Sequence, residues 1–129
     1  MKLSEAIRLG STLMPQCACQ LHLYRDGVKK ASCALGAAID AMGSEYAHIF
    51  DKPHYKNFKV IAPKEWIFDT KVSCPGCALE DSFYRIVAHL NDKHNLTRES
   101  IADWVEICEM EDEINRAPVQ PEVAVVELA

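Results

Sequence analysis

A chain of 129 residues with 49% hydrophobic side chains holds material for one globular domain with a modest core, and is short for two independent ones. The net charge of −5 is polarised: residues 1–72 carry ten basic against seven acidic side chains (+3), and residues 73–129 carry four against twelve (−8). An acidic second half disfavours general phosphate contact there, because neutralising a nucleic-acid backbone takes clustered Lys and Arg.

The opening stretch MKLSEAIRLGSTLM is too interrupted by Ser4, Glu5, Arg8 and Gly10 for a secretory signal, and no run approaches the roughly 18 apolar residues of a membrane span. A cytoplasmic, reducing setting is therefore expected, with no membrane partner. The six cysteines then read as metal-binding or core residues before they read as a disulfide framework.

Leu3, Ala6, Ile7, Gly10 and Leu13 recur at helical spacing behind Ser4 as N-cap, and Pro15 stops the pattern. Strands over 20–24 and 28–32 flank Arg25-Asp26-Gly27, where Asp-Gly supplies the positive φ angles of a tight hairpin turn. Ser32 can cap a second helix with the stripe Leu35, Ala38, Ile39 and Met42, and Gly43 is placed to end it in the left-handed conformation. From Phe50 to Val72 aromatics mix with lysines and two prolines, which reads as loop with short strands near 58–61 and 66–68. Phe83, Ile86, Val87 and Leu90 form one amphipathic stripe. Ile101, Trp104, Val105 and Cys108 form another behind the cap Thr97. The last residues, 117–129, contain two prolines, two glutamates and no basic residue, and suit a flexible tail or a strand formed on docking. The expected fold is α+β: one small domain over 1–116 with a β-hairpin, short strands and three to four helices.

The residues that carry chemistry begin at Cys74-Pro75-Gly76-Cys77, followed by eleven residues, His89, four residues and His94. Zinc takes four soft or borderline donors at the corners of a tetrahedron. A Cys-x2-Cys turn folds two thiolates to one point, and histidines at a helix end reach the other two corners. Two thiolates cancel the ion's charge, so such a site can be buried and its binding energy becomes folding energy. Cys74, Cys77, His89 and His94 are thus the expected ligands of one structural zinc that ties the Cys turn to a helix ending at His89. A catalytic zinc keeps an open position, whereas this set fills four. The His-x-Glu and Pro-Cys-x-x-Cys signature of zinc deaminases and the His-Glu-x-x-His of metalloproteases are both absent. No catalytic residue is expected.

With His89-Leu90, the run His94-Asn95-Leu96-Thr97-Arg98-Glu99 and Trp104, the segment 74–105 resembles Cys2His2 zinc fingers, nearest the Ros/MucR-type fingers of bacterial transcription regulators. That resemblance implies zinc as cofactor and a nucleic-acid-binding regulator as one functional reading. Glu80, Asp81 and Asp92 stand where those fingers carry DNA-gripping arginines, and this disfavours DNA as the finger's partner. The pieces LSEAIRLGSTL and CALGAAIDAMG resemble small uncharacterised bacterial and phage proteins.

Weaker signals remain. Cys17, Cys19, His22 and Cys33 bracket the hairpin and either form a second metal site or act as small core residues. Lys52, Lys56, Lys59, Lys64 and Lys71 interleave with Tyr55, Phe58, Trp66 and Phe68, a mix that either holds single-stranded nucleic acid or is a solvated lysine face over buried aromatics. His48 and His54 have no identifiable partner. Glu106, Glu109, Glu111, Asp112 and Glu113 crowd a helix C-terminus against its macrodipole, either as a solvated face or as a docking surface for a basic partner. The leading expectation is a small zinc-stabilised regulatory or adaptor protein acting through another protein. The rivals are a nucleic-acid-binding regulator and an enzyme with an unrecognised site.

Overall fold

The computed structural model describes residues 1–43, 63, 65–67 and 69–116. In chain order these form α1 (Leu3–Ser11), β1 (His22–Arg25), β2 (Val28–Ser32), α2 (Ala34–Ala41), β3 (Lys71–Ser73), β4 (Glu80–Ser82), α3 (Phe83–Asp92) and α4 (Arg98–Arg116). This is the expected small α+β domain, with four helices and two antiparallel two-stranded sheets among the described residues. The strand expected near 58–61, the lysines at 52–64, His48, His54 and the tail 117–129 lie outside the described residues.

Leu3, Ala6, Ile7 and Gly10 bury one face of α1, at the spacing that puts them in a single stripe. That face lies on α2, whose first six residues are all buried. The approach is close enough to be set by backbone: a Cβ added to Gly10 would stand 1.6 Å from the Ala37 carbonyl oxygen; where α2 meets the residue before β1, one added to Gly36 would stand 2.0 Å from the Leu21 carbonyl oxygen. Leu90, Ile86, Val87 and Phe83 of α3 complete the same core with Ile101 and Val105 of α4, and Trp104 stacks on Phe83 at 5.1 Å between ring centroids.

The first hairpin turns at Asp26 and Gly27, φ 53° and 75°, as the Asp-Gly pair predicts. Gly43, φ 88°, follows the end of α2. Thr97 caps α4 by accepting the Ser100 amide at 3.1 Å.

Three local expectations are corrected. Ser4 is not a cap: α1 starts at Leu3, so Ser4 lies inside its first turn and gives its amide and hydroxyl to the buried Glu109 carboxylate. Ser32 ends β2 instead of capping α2. The cap is Cys33, whose Sγ accepts the Gly36 amide at 3.4 Å. Trp66 and Ile67, of the strand expected over 66–68, form no strand and are buried in the core, with the Trp66 indole donating to the Met1 carbonyl at 2.8 Å; residue 68 lies outside the described residues.

Candidate metal centre

The second hairpin is very small. β3 and β4 pair over three residues each, Lys71 with Ser82, Val72 with Asp81 and Ser73 with Glu80. Two-stranded hairpins of this size are marginal in water and need something to pack against. Here the loop closes when the Cys74 amide donates to the Leu79 carbonyl at 2.8 Å, while the Gly76 amide points at Cys74 Sγ from 3.4 Å. An N–H aimed at sulfur stabilises the thiolate form a metal requires. Gly76 serves space rather than backbone freedom, because its φ is not positive and a Cβ there would meet the His94 ring at 3.1 Å.

α3 runs directly from β4, and its apolar stripe anchors it in the core. His89 lies in its last turn, so the helix extends to Asp92 and does not end at His89 as the sequence reading expects. Asn95 then takes φ 52°, a left-handed conformation that asparagine tolerates, and the Leu96 amide bonds back to the Leu90 carbonyl at 3.1 Å. His94, just before this reversal, lies over the loop against Gly76.

All four expected ligands meet. Cys74 Sγ is 3.5 Å from His94 Nε2, Cys77 Sγ is 3.4 Å from His89 Nε2, and the two Nε2 atoms are 3.1 Å apart. The four donor atoms lie within 4.8 Å of one another, close enough to bind one metal ion. Cys74 is buried, the histidines are half-buried and Cys77 is exposed. With the thiols deprotonated and the imidazole lone pairs turned inward, these four donors repel one another, and a cation between them removes that repulsion.

A buried polar network that sequence reasoning missed joins this centre to the helical body. Asn91, between the two histidines in sequence, is buried. Its Oδ1 accepts from the Ala34 amide at 3.1 Å and from Gln16 Nε2 at 2.9 Å, and its Nδ2 donates to the Cys17 carbonyl at 2.8 Å. Gln16 also accepts the Arg98 amide at 3.2 Å. The Arg98 guanidinium donates to the Met14 carbonyl at 2.7 Å, the Ser11 carbonyl at 3.2 Å and Ser32 Oγ at 2.8 Å. A cation there suits the C-terminal end of α1, and burial pulls the Arg98 pKa down, against the fields of Cys17, Cys33 and Asp40. One signal was legible: Asn91 is four residues beyond Val87, so an amide falls on an otherwise apolar face.

Cys17, Cys19, Cys33 and His22 do not converge; among the described residues Cys74, Cys77, His89 and His94 form the one metal-sized group. The Cys33 thiol is buried and pushed up to about 12 by that burial. Burial also raises Cys17, while Cys19 is exposed, with its amide on Asp92 at 2.8 Å. His22 is buried, with Nε2 at 3.0 Å from Asp40 Oδ1 and 3.2 Å from the Gly36 carbonyl. Both neighbours are acceptors, so Nε2 carries the proton and is no ligand. Burial favours the neutral form of Asp40, but the hydrogen bonds from His22 and from Lys29, at 2.8 Å, outweigh it and hold the carboxyl below its ordinary range.

The acidic run on α4 divides. Glu109 is buried on α1, Glu113 pairs with Lys2 and Asp112 with Arg116 at 3.1 Å, so these three belong to the domain's own contacts. No family model, curated protein or solved structure matches the chain. Among the described residues no helix is long and apolar enough to cross a membrane.

Proposed function

We propose that the metal is zinc, that its role is structural, and that the protein is a regulatory or adaptor module acting by binding another protein. Zinc bonds of about 2.3 Å to sulfur and 2.0–2.1 Å to nitrogen give a tetrahedron with S···N edges of about 3.5 Å and N···N edges of about 3.3 Å. The separations of 3.5, 3.4 and 3.1 Å fit that figure. With four protein donors no position is left for a substrate or an activated water. When bound, the ion supplies a cross-link. The chain's own residues hold it: the Cys74–Cys77 loop presents the thiolates, and the helix end with the Asn95 reversal presents the imidazoles.

The observation that carries the interaction role is the outer face of α4. Ile107, Met110 and Ile114 are 55, 56 and 72% exposed. Scattered apolar side chains are ordinary on a surface, but three on one helix face, opposite the core, make a patch. The nucleic-acid reading has less support. β4 presents Glu80 and Asp81, and Arg85, on the exposed side of α3, lies 3.7 Å from Asp81. The test is affinity purification of the tagged protein from its native host with and without nuclease. A nuclease-resistant protein partner, lost when Ile107, Met110 and Ile114 are replaced by Ala, is expected. Co-purifying nucleic acid that nuclease removes along with every partner overturns the reading.

A further inference from the structure

Ile107, Met110 and Ile114 are spaced i, i+3, i+7, the a-d-a spacing of a helix that lays its seam against another helix. Asp103 is one turn before Ile107 and Glu106 one turn before Met110, while Glu111 neighbours both isoleucines at i+4 and i−3. All three carboxylates belong to exposed residues. Arg8 is the described cation beside them, and it is shared among Glu99 at 3.5 Å, Asp103 at 2.8 Å and Glu106 at 3.1 Å. Arg98 is buried in the polar network and Arg116 is paired with Asp112. The apolar seam therefore has a net negative border on both sides.

Resting on the reading of the chain as an interaction module, we propose that this face docks an amphipathic helix of another protein whose seam is apolar and whose flanking positions are basic. The border decides among the occupants. A second copy would set Asp103, Glu106 and Glu111 against the same residues, which costs energy across a helix pair. The tail 117–129 has Glu122 and Glu127 and no basic residue. An anionic membrane surface is repelled by the same carboxylates. A partner helix with Lys or Arg beside Leu or Ile satisfies both the seam and its border.

The zinc-loaded protein is titrated with two synthetic amphipathic peptides of about three heptads, both with Leu at the seam, one with Lys and one with Glu at the flanking positions. The Lys peptide is expected to bind at least about tenfold more tightly. Replacing Ile107, Met110 and Ile114 with Ala should weaken it about tenfold or more with zinc content and melting temperature unchanged, and Glu106→Gln/Glu111→Gln should remove most of its salt dependence. Equal affinity for the two peptides, no binding of the Lys peptide, or binding indifferent to the triple substitution overturns the proposal. So does a dimer in sedimentation that the triple substitution dissolves, or preferential binding to anionic vesicles. A gain in peptide affinity on replacing Lys52, Lys56 and Lys59 with Ala would give the face to the chain's own lysines, and also overturn it. If the Lys peptide fails while the host partner is still lost from the triple variant, the adaptor reading stands and only the partner's chemistry is wrong.

Discussion

Among the described residues there are two β-hairpins with cysteines, at the ends of the first and in the loop of the second, and they are held in opposite ways. β1–β2 is continuous with the helical core: Leu21, Ala31, Ser32 and Cys33 are buried, and the Cys33 amide bonds to the Leu21 carbonyl at 3.0 Å. Of its thiols, Cys33 caps α2 inside the core, Cys17 is half-buried and Cys19 is exposed. β3–β4 has three-residue strands with Glu80, Lys71 and Ser73 exposed, so it offers little to bury, and its thiols face two imidazoles. Cysteine number does not separate the two regions. What separates them is whether the remaining donors arrive: a histidine in a helix's last turn and another just before a left-handed reversal complete one set, whereas His22 spends its Nε2 proton on Asp40 and Gly36.

The largest effect should come from removing a ligand. Cys74→Ser or His94→Ala is expected to abolish stoichiometric metal and cost on the order of 10 kcal/mol of apparent binding energy, comparable with a small domain's whole stability. Elemental analysis and near-ultraviolet circular dichroism measure both; a folded, reduced, metal-free wild-type protein would erase the contrast between the hairpins. Next, Gly10→Ala should destabilise the helical body by about 3 kcal/mol, because the new Cβ meets carbonyl backbone that no rotamer change can move. Metal content should stay at one equivalent, and urea unfolding of the loaded protein would show it.

A smaller loss, about 2 kcal/mol, is expected for Asn91→Ala, which leaves the Ala34 amide and Cys17 carbonyl buried without their partner. If the two regions are coupled through Asn91, this variant should also release metal to a chelator faster; an unchanged release rate would show that they unfold independently. The mildest test changes no contact. In the loaded protein at pH 8, a maleimide should modify Cys19 first and Cys33 far more slowly than a free thiol, since Cys33 is buried and that burial pushes its thiol pKa up. Chelation should add Cys74 and Cys77 to the reactive set, as mass spectrometry of the digest would reveal.

Much of the metal centre was legible in advance because its determinants are local: the Cys-x2-Cys loop, the stripe of Phe83, Ile86, Val87 and Leu90, and the Thr97 cap each express a period or a spacing. The two misplaced caps show where local reasoning stops. Ser4 and Ser32 have the right chemistry for caps, but Glu109 and Arg98, more than sixty residues away in sequence, claim their hydroxyls. The burial of Trp66 and Ile67 without a strand has the same origin, since the Met1 carbonyl that accepts from the Trp66 indole is more than sixty residues away in sequence. The acidic run on α4 reads from sequence as one feature and divides in three dimensions, because one carboxylate in it points inward to α1.

The backbone contact between Gly10 and Ala37 also bears on how this chain can diverge. Where side chains meet, a lost methylene on one helix can be offset by a gained one on the other, and cores drift through such exchanges. At Gly10 a carbonyl fills the space a side chain would need. No compensating change exists there, so sequence drift around α1 and α2 has to be absorbed elsewhere, on the faces they turn to β2, α3 and α4.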